Sequence, residues 1–218
     1  MAVERAEQTT ITQDASAESA PPPAGKRPAP RLFDVDEYYR MAEVGILRPD
    51  ERVELIEGEI LQISPIGARH VWAVDRLTQL LVLRFGTRVR LGVQNPIRLA
   101  RRVEPEPDFA LSRIDEDRLR RYPTALPGPD DVLLVIEVAE TSVLYDLGDK
   151  AELYARHGIP ELWVLDLPED RLMVHREPVT DGYASVAAIP RGASVSPLAF
   201  PDEAFTVEEI IGVSVAPA

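Results

Sequence analysis

The chain has 218 residues, 45% of them hydrophobic, and no apolar run long enough to span a bilayer, so one globular domain with a real core is expected. Cysteine is absent, which removes disulfides, thiolate nucleophiles and Cys-based zinc sites together. A net charge of -13 argues against a protein that coats nucleic acid nonspecifically, since phosphate binding needs Lys and Arg, although a divalent cation can supply positive charge that the sum conceals. The polar, acidic N-terminus does not read as a secretory signal, and a cytoplasmic location without membrane attachment is the default expectation.

Residues 1–31 are rich in Ala, Pro, Ser, Thr and Glu, and cannot bury enough apolar area to offset their ordering entropy. They are expected to form a disordered tail ahead of a domain over 32–212, with 213–218 as a short C-terminal tail. The domain opens with a short helix capped by Asp34 or Asp36 and ended by Gly45. Residues 53–63 alternate on both sides of Glu57-Gly58, which predicts a hairpin. Over 68–85 the period becomes helical, with Val71, Val74, Leu77, Leu81 and Phe85 on one stripe. Strands are expected at 88–93, 97–100 and 107–111, and an exposed loop over 113–131.

Residues 132–138 are apolar except for Glu137, the pattern of a strand covered on both faces in the middle of a sheet. A helix over 144–157, stopped by Gly158, leads to another buried strand at 162–167, a parallel crossover. Antiparallel strands at 171–176 and 183–189 follow, and Thr206 and Glu209 have capping-box spacing before a last short helix. The fold class expected from this order is a mixed α/β (α+β) domain with a central sheet flanked by helices. Exposed strands late in the chain leave pairing across a homodimer open.

Three residues carry the chemical expectation. Glu137 interrupts a run of Val, Leu and Ile, with Leu133 and Val135 as its expected face-mates, and a buried carboxylate costs several kcal/mol unless it is paired or bound to metal. Otherwise it reaches solvent at the strand end or caps a neighbouring helix. Asp108 follows Pro107 at the start of a short strand. Two carboxylates about 4 Å apart repel by roughly 4 kcal/mol, so such a pair needs a shared proton or a cation, and hard Mg²⁺ or Mn²⁺ is the natural choice. Of the 24 basic residues only Lys26 and Lys150 are Lys, so Lys150 is the one lysine of the domain. It borders the apolar face of its helix, from where an ammonium can reach the preceding strand. The competing reading is a surface pair with Asp146, worth a few tenths of a kcal/mol.

Glu54-Leu55-Ile56-Glu57-Gly58-Glu59, Ser64-Pro65, His70, Pro107-Asp108, Ile136-Glu137-Val138, Ser142, Asp146, Lys150 and Tyr154-Ala155-Arg156-His157-Gly158-Ile159-Pro160-Glu161-Leu162-Trp163 stand in this order. The pattern resembles the restriction-endonuclease-like family often called Uma-two, within the PD-(D/E)XK phosphodiesterase fold, over about residues 33–212. The resemblance implies a metal-dependent endonuclease acting on nucleic acid, DNA first, with Asp108, Glu137 and the Val138 carbonyl as metal ligands. The broader fold carries its lysine two residues after the acid, where this chain has Ala139; Lys150 matches the place to which the family's lysine has moved. Glu54 matches an early glutamate that completes the acidic shell, or is a solvated strand residue. His70, at a helix start, meets substrate or caps the helix, the commoner role.

In the mechanism this implies, the metal activates water and Lys150 orients it or neutralises the charge on the phosphate, so alanine at Lys150 is expected to remove cleavage with little change in melting temperature. Arg98, Arg101, Arg102, Arg113, Arg118, Arg120 and Arg121 are a candidate track for a phosphate backbone, or a solvated charged loop. An inactive interaction module on a nuclease scaffold and a hydrolase of a small phosphoester are the two other classes left open.

Overall fold

The computed structural model describes residues 29–63 and 66–212. A compact unit beginning at Leu32 carries all the secondary structure described below. The tails expected over 1–31 and 213–218, and the Ser64-Pro65 pair, lie wholly or largely outside the described residues.

Helix α1 (Val35–Glu43) starts at Asp34, whose carboxylate accepts from the Glu37 N–H while Glu37 bonds back. Strands β1 (Val53–Ile56) and β2 (Glu59–Gln62) form the expected hairpin. Its turn residues Glu57 and Gly58 both have positive φ, 51° and 85°, the backbone that a two-residue hairpin loop demands. Gly58 has a second reason to be glycine: a Cβ there would stand 2.7 Å from the Leu32 Cβ.

Helix α2 (Ala68–Phe85) buries Ala73, Val74, Leu77, Leu81 and Phe85. Val71, expected on that stripe, is instead 45% exposed. Then come β3 (Arg90–Val93), β4 (Phe109–Ser112), α3 (Glu116–Arg121), β5 (Val132–Ala139), α4 (Val143–Leu147), α5 (Asp149–Arg156), β6 (Glu161–Asp166), β7 (Arg171–Val179), β8 (Gly182–Ile189), β9 (Ser194–Val195), β10 (Phe205–Thr206) and α6 (Val207–Ile211). Six strands form one sheet in the order β3-β4-β5-β6-β7-β8. The β5–β6 pair is parallel and the other four pairings are antiparallel, so the sheet is mixed as expected.

Three expectations are corrected and one element is new. Residues 97–100 are not a strand of a sheet; Ile97 and Leu99 are buried, but their N–H groups bond to Pro105 and Val103 in an irregular, proline-punctuated segment. The loop over 113–131 contains α3, whose first turn is held by the Asp115 carboxylate on the Arg118 N–H. The helix over 144–157 is two helices, broken at Gly148 with φ -105° and ψ -99°. The two-stranded β9–β10 sheet was not foreseen, because two-residue strands carry no alternation to read.

The sheet divides the core. On one face α2 and α6 pack with Leu134, Ile136, Val138, Trp163 and Leu165. On the other, α5 packs with Val135, Ala139, Leu162 and Val164. Alternation along β5 puts Glu137 on the second face, between Val135 and Ala139 and under α5. Leu133 falls with the first face, not with Glu137 as expected, because the β4–β5 register shifts between Leu111 and Ser112.

Candidate active site

The site begins with a mismatch in strand length. β4 pairs with β5 only up to Phe109 opposite Ile136, while β5 runs on to Ala139. The last residues of β5 therefore project past the start of β4, and the Val138 N–H has lost its ladder partner. The Asp108 side chain, directly before β4, takes its place: Oδ2 accepts from Val138 N at 2.8 Å. Reciprocally, the Asp108 N–H points at Glu137 Oε2 at 3.3 Å. A strand residue's N–H and C=O leave the backbone on the same side, so the Val138 carbonyl faces this gap too.

Asp108 accepts further bonds from His70 Nε2 at 3.1 Å on Oδ2 and from Gln94 Nε2 at 3.1 Å on Oδ1. Burial would raise its pKa, but the bonds from His70, Val138 and Gln94 overcome that and hold it below the ordinary aspartate value. His70 is the third residue of α2, whose cap position is Gly67. Its ring is thus turned to Asp108 and not to the helix end, which corrects the capping expectation.

Helix α5 supplies the opposite side. Lys150 Nζ lies 3.2 Å from Glu137 Oε1 and 3.3 Å from Glu54 Oε1. Tyr154, one turn on, donates to the same Glu137 Oε1 at 2.6 Å. Positions four apart share a helix face, which is why both reach one oxygen. Exposure is 8% for Asp108, 3% for Glu137, 6% for Lys150 and 2% for Glu54. Burial drives the Glu137 carboxyl upward, opposed chiefly by Lys150. For Lys150 burial works against the ammonium, yet Glu137, Glu54 and Asp146 outweigh it and keep the lysine charged.

The four side chains singled out in the sequence therefore stand together. Glu54 comes from β1, on the hairpin that borders the site, and also accepts from the Glu106 N–H at 3.0 Å. Sequence reasoning missed Tyr154, which reads as core, and Gln94, which nothing distinguishes in the sequence. It placed Asp146 only in a surface pair with Lys150, whereas Asp146 is buried and bonded by Ser142 Oγ at 2.5 Å, with burial raising its pKa. A signal was available: Ser142, Asp146, Lys150 and Tyr154 fall at strict intervals of four. Of the seven arginines of the candidate track five stand in ion pairs, Arg98 with Glu104, Arg101 with Asp34, Arg118 and Arg121 with Asp131, and Arg120 with Glu116, while Arg102 is exposed. Arg113 follows β4 at the end away from Asp108.

A cavity of about 460 Å³ opens over these groups. Glu54, Glu106, Asp108, Glu137, Glu140 and Asp146 line it against two basic residues, Arg52 and Lys150. Among the described residues no three His, Asp or Glu side chains form a ready metal cage. What the site offers a cation is the carboxylate pair Asp108 and Glu137 and the Val138 carbonyl, all hard oxygen donors of the kind Mg²⁺ and Mn²⁺ take. The excess of acids over bases around the cavity fits such an ion.

The fold has a known counterpart. The crystal structure of a putative nuclease belonging to DUF820 from Anabaena variabilis ATCC 29413 superposes with a TM-score of 0.63 at 14% identity, covering 82% of this chain and 97% of that one. At that identity the likeness speaks for the fold alone, a mixed sheet flanked by helices. No curated protein matches the sequence. The family match reaches over residues 35–208, from α1 into α6, and on it the chain belongs to the Uma2 family, described as putative restriction endonuclease.

Proposed function

We infer that the protein is a divalent-metal-dependent endonuclease that hydrolyses phosphodiester bonds of nucleic acid, DNA in the first instance, at the Asp108–Glu137 pair. The observation that carries this is a buried lysine bonded to Glu137 and Glu54 in the cavity that holds Asp108. A purely structural ion pair has no need of further acids around it or of a cavity above it. Six acidic side chains facing one cavity repel a phosphate unless a cation stands between them.

Bound there, Mg²⁺ or Mn²⁺ would supply positive charge to the phosphate oxygens and acidify water. The chain's own groups do the rest. Val138 N–H, His70 and Gln94 fix the Asp108 carboxylate. Tyr154 and Lys150 engage Oε1 of Glu137, which turns Oε2 toward Asp108. The Lys150 ammonium stays charged and offsets negative charge that grows on the phosphate in the transition state.

The test is cleavage of single-stranded, duplex and branched DNA with Mg²⁺ or Mn²⁺, for the wild type and for Asp108→Asn, which keeps shape and an acceptor for Val138. The expected result is cation-dependent cleavage that falls by about a hundredfold or more in the variant, together with loss of Mn²⁺ binding by titration calorimetry. Absence of cleavage of every DNA with either cation, or full activity in Asp108→Asn, rejects the assignment.

A further inference from the structure

The reacting groups are not on the surface. Asp108, Glu137, Lys150, Glu54 and Asp146 are all buried, and the way to them is a cavity of about 460 Å³, a size that takes a small ligand. Duplex DNA is a stiff rod whose phosphates lie on its outside, and it is held by many contacts between phosphates and basic side chains. This cavity presents two basic residues, and one of them, Lys150, is already engaged by two carboxylates. An intact duplex thus finds little positive charge in the cavity itself, and its stiff backbone does not bend into a space of this size. An unpaired strand has no such difficulty, because each nucleotide bends independently of a partner strand.

The walls fit this reading. Beside the acids the cavity is lined by Leu61 of β2 and by Ile63 and Ile66, with Tyr145 of α4 among the polar groups. Tyr145 is half-buried, its ring lies 5.9 Å from Lys150 Nζ, and burial pushes its hydroxyl up to about 12, so it stays a neutral aromatic surface. Unstacked bases are held in this way, against aromatic and aliphatic side chains, with no need for base pairing.

We propose that the site takes a single unpaired nucleotide of a nucleic-acid strand, its base against Tyr145 and the aliphatic wall, and that single-stranded segments rather than intact duplex are the substrate. This rests on the endonuclease reading given above. A base in a duplex must first leave its stack, and a single strand avoids that step.

The experiment compares initial rates on a single-stranded oligonucleotide, in DNA and RNA arms, on the blunt duplex of the same sequence and on a duplex with a splayed end, using the full chain with Mn²⁺. Single strand and splayed end are expected to be cut about tenfold faster than duplex or more, whichever sugar proves the better. Tyr145→Ala is expected to raise KM for the single strand about tenfold with a smaller change in kcat, and Tyr145→Phe to restore it. Duplex cut as fast as single strand, or an unchanged KM in Tyr145→Ala, overturns the proposal while leaving the endonuclease reading intact. If nothing is cut, both fall.

Discussion

Lys150 gathers more of the site's electrostatics than any other side chain. Its ammonium separates Glu137 from Glu54 and stands near Asp146, and all four groups are withdrawn from water. Burial changes what its removal should do. From the sequence the catalytic reading expects Lys150→Ala to leave melting almost unchanged, but loss of one partner from a buried pair leaves an uncompensated charge, and roughly 3 kcal/mol is expected for Lys150→Ala near neutral pH or above. The cost depends on pH with a definite sign. Glu137 has a folded-state pKa raised above its ordinary 4.5 by burial, so the stability it contributes is complete below that value and is lost as pH rises through the folded pKa. Without Lys150 the folded pKa climbs further and the loss extends to higher pH. The melting deficit of Lys150→Ala relative to wild type should therefore be smaller at about pH 5 than at about pH 8. Equal deficits at both would mean that Glu137 does not govern the effect.

At the level of elements, the break between α4 and α5 decides where Lys150 points. Continuous helix over 144–157 is what the sequence pattern favours, yet Gly148 turns the chain with φ -105° and ψ -99°. A Cβ at Gly148 would come within 2.8 Å of the Leu144 carbonyl, a contact with backbone that side-chain adjustment cannot relieve. Gly148→Ala should cost about 1–3 kcal/mol, read from the midpoint of urea unfolding; an unchanged midpoint would show that the break is not needed. The elements foreseen best were α2, marked by its helical period, and β5, marked by its continuous apolar run. The helix α3 escaped because it buries no residue, so no apolar stripe marked it, and only the Asp115 cap identifies it afterwards. The segment around Ile97 misled for the opposite reason. Its apolar residues are buried, as in a strand, but Pro96, Pro105 and Pro107 lack the N–H groups a ladder needs.

For the whole molecule, charge is the constraint. At -13 the protein repels nucleic acid at a distance, and many of its arginines are engaged with carboxylates on their own surface. Binding should therefore depend on few phosphate contacts. For one or two contacts on a single strand, the affinity at fixed divalent-cation concentration should fall by less than about tenfold between roughly 50 and 200 mM salt. Fluorescence anisotropy with a labelled single strand measures this, and a steep loss would show that more phosphates are contacted than the basic residues of the cavity can reach.

What the sequence determined by itself was the local and the categorical. The mixed sheet follows from the order and period of its segments, and Glu137 and Lys150 stand out because each violates its surroundings, one an acid in an apolar strand, the other a lysine in an arginine-rich chain. What only the tertiary structure decided was convergence. That Asp108 replaces a missing ladder partner for Val138, that His70 turns to Asp108, and that Tyr154 and Lys150 share one oxygen of Glu137 all depend on where β4 starts and how α5 lies across β5. These are relations between residues distant in the chain. No local period encodes them, because they are fixed by the packing of the sheet against its helices.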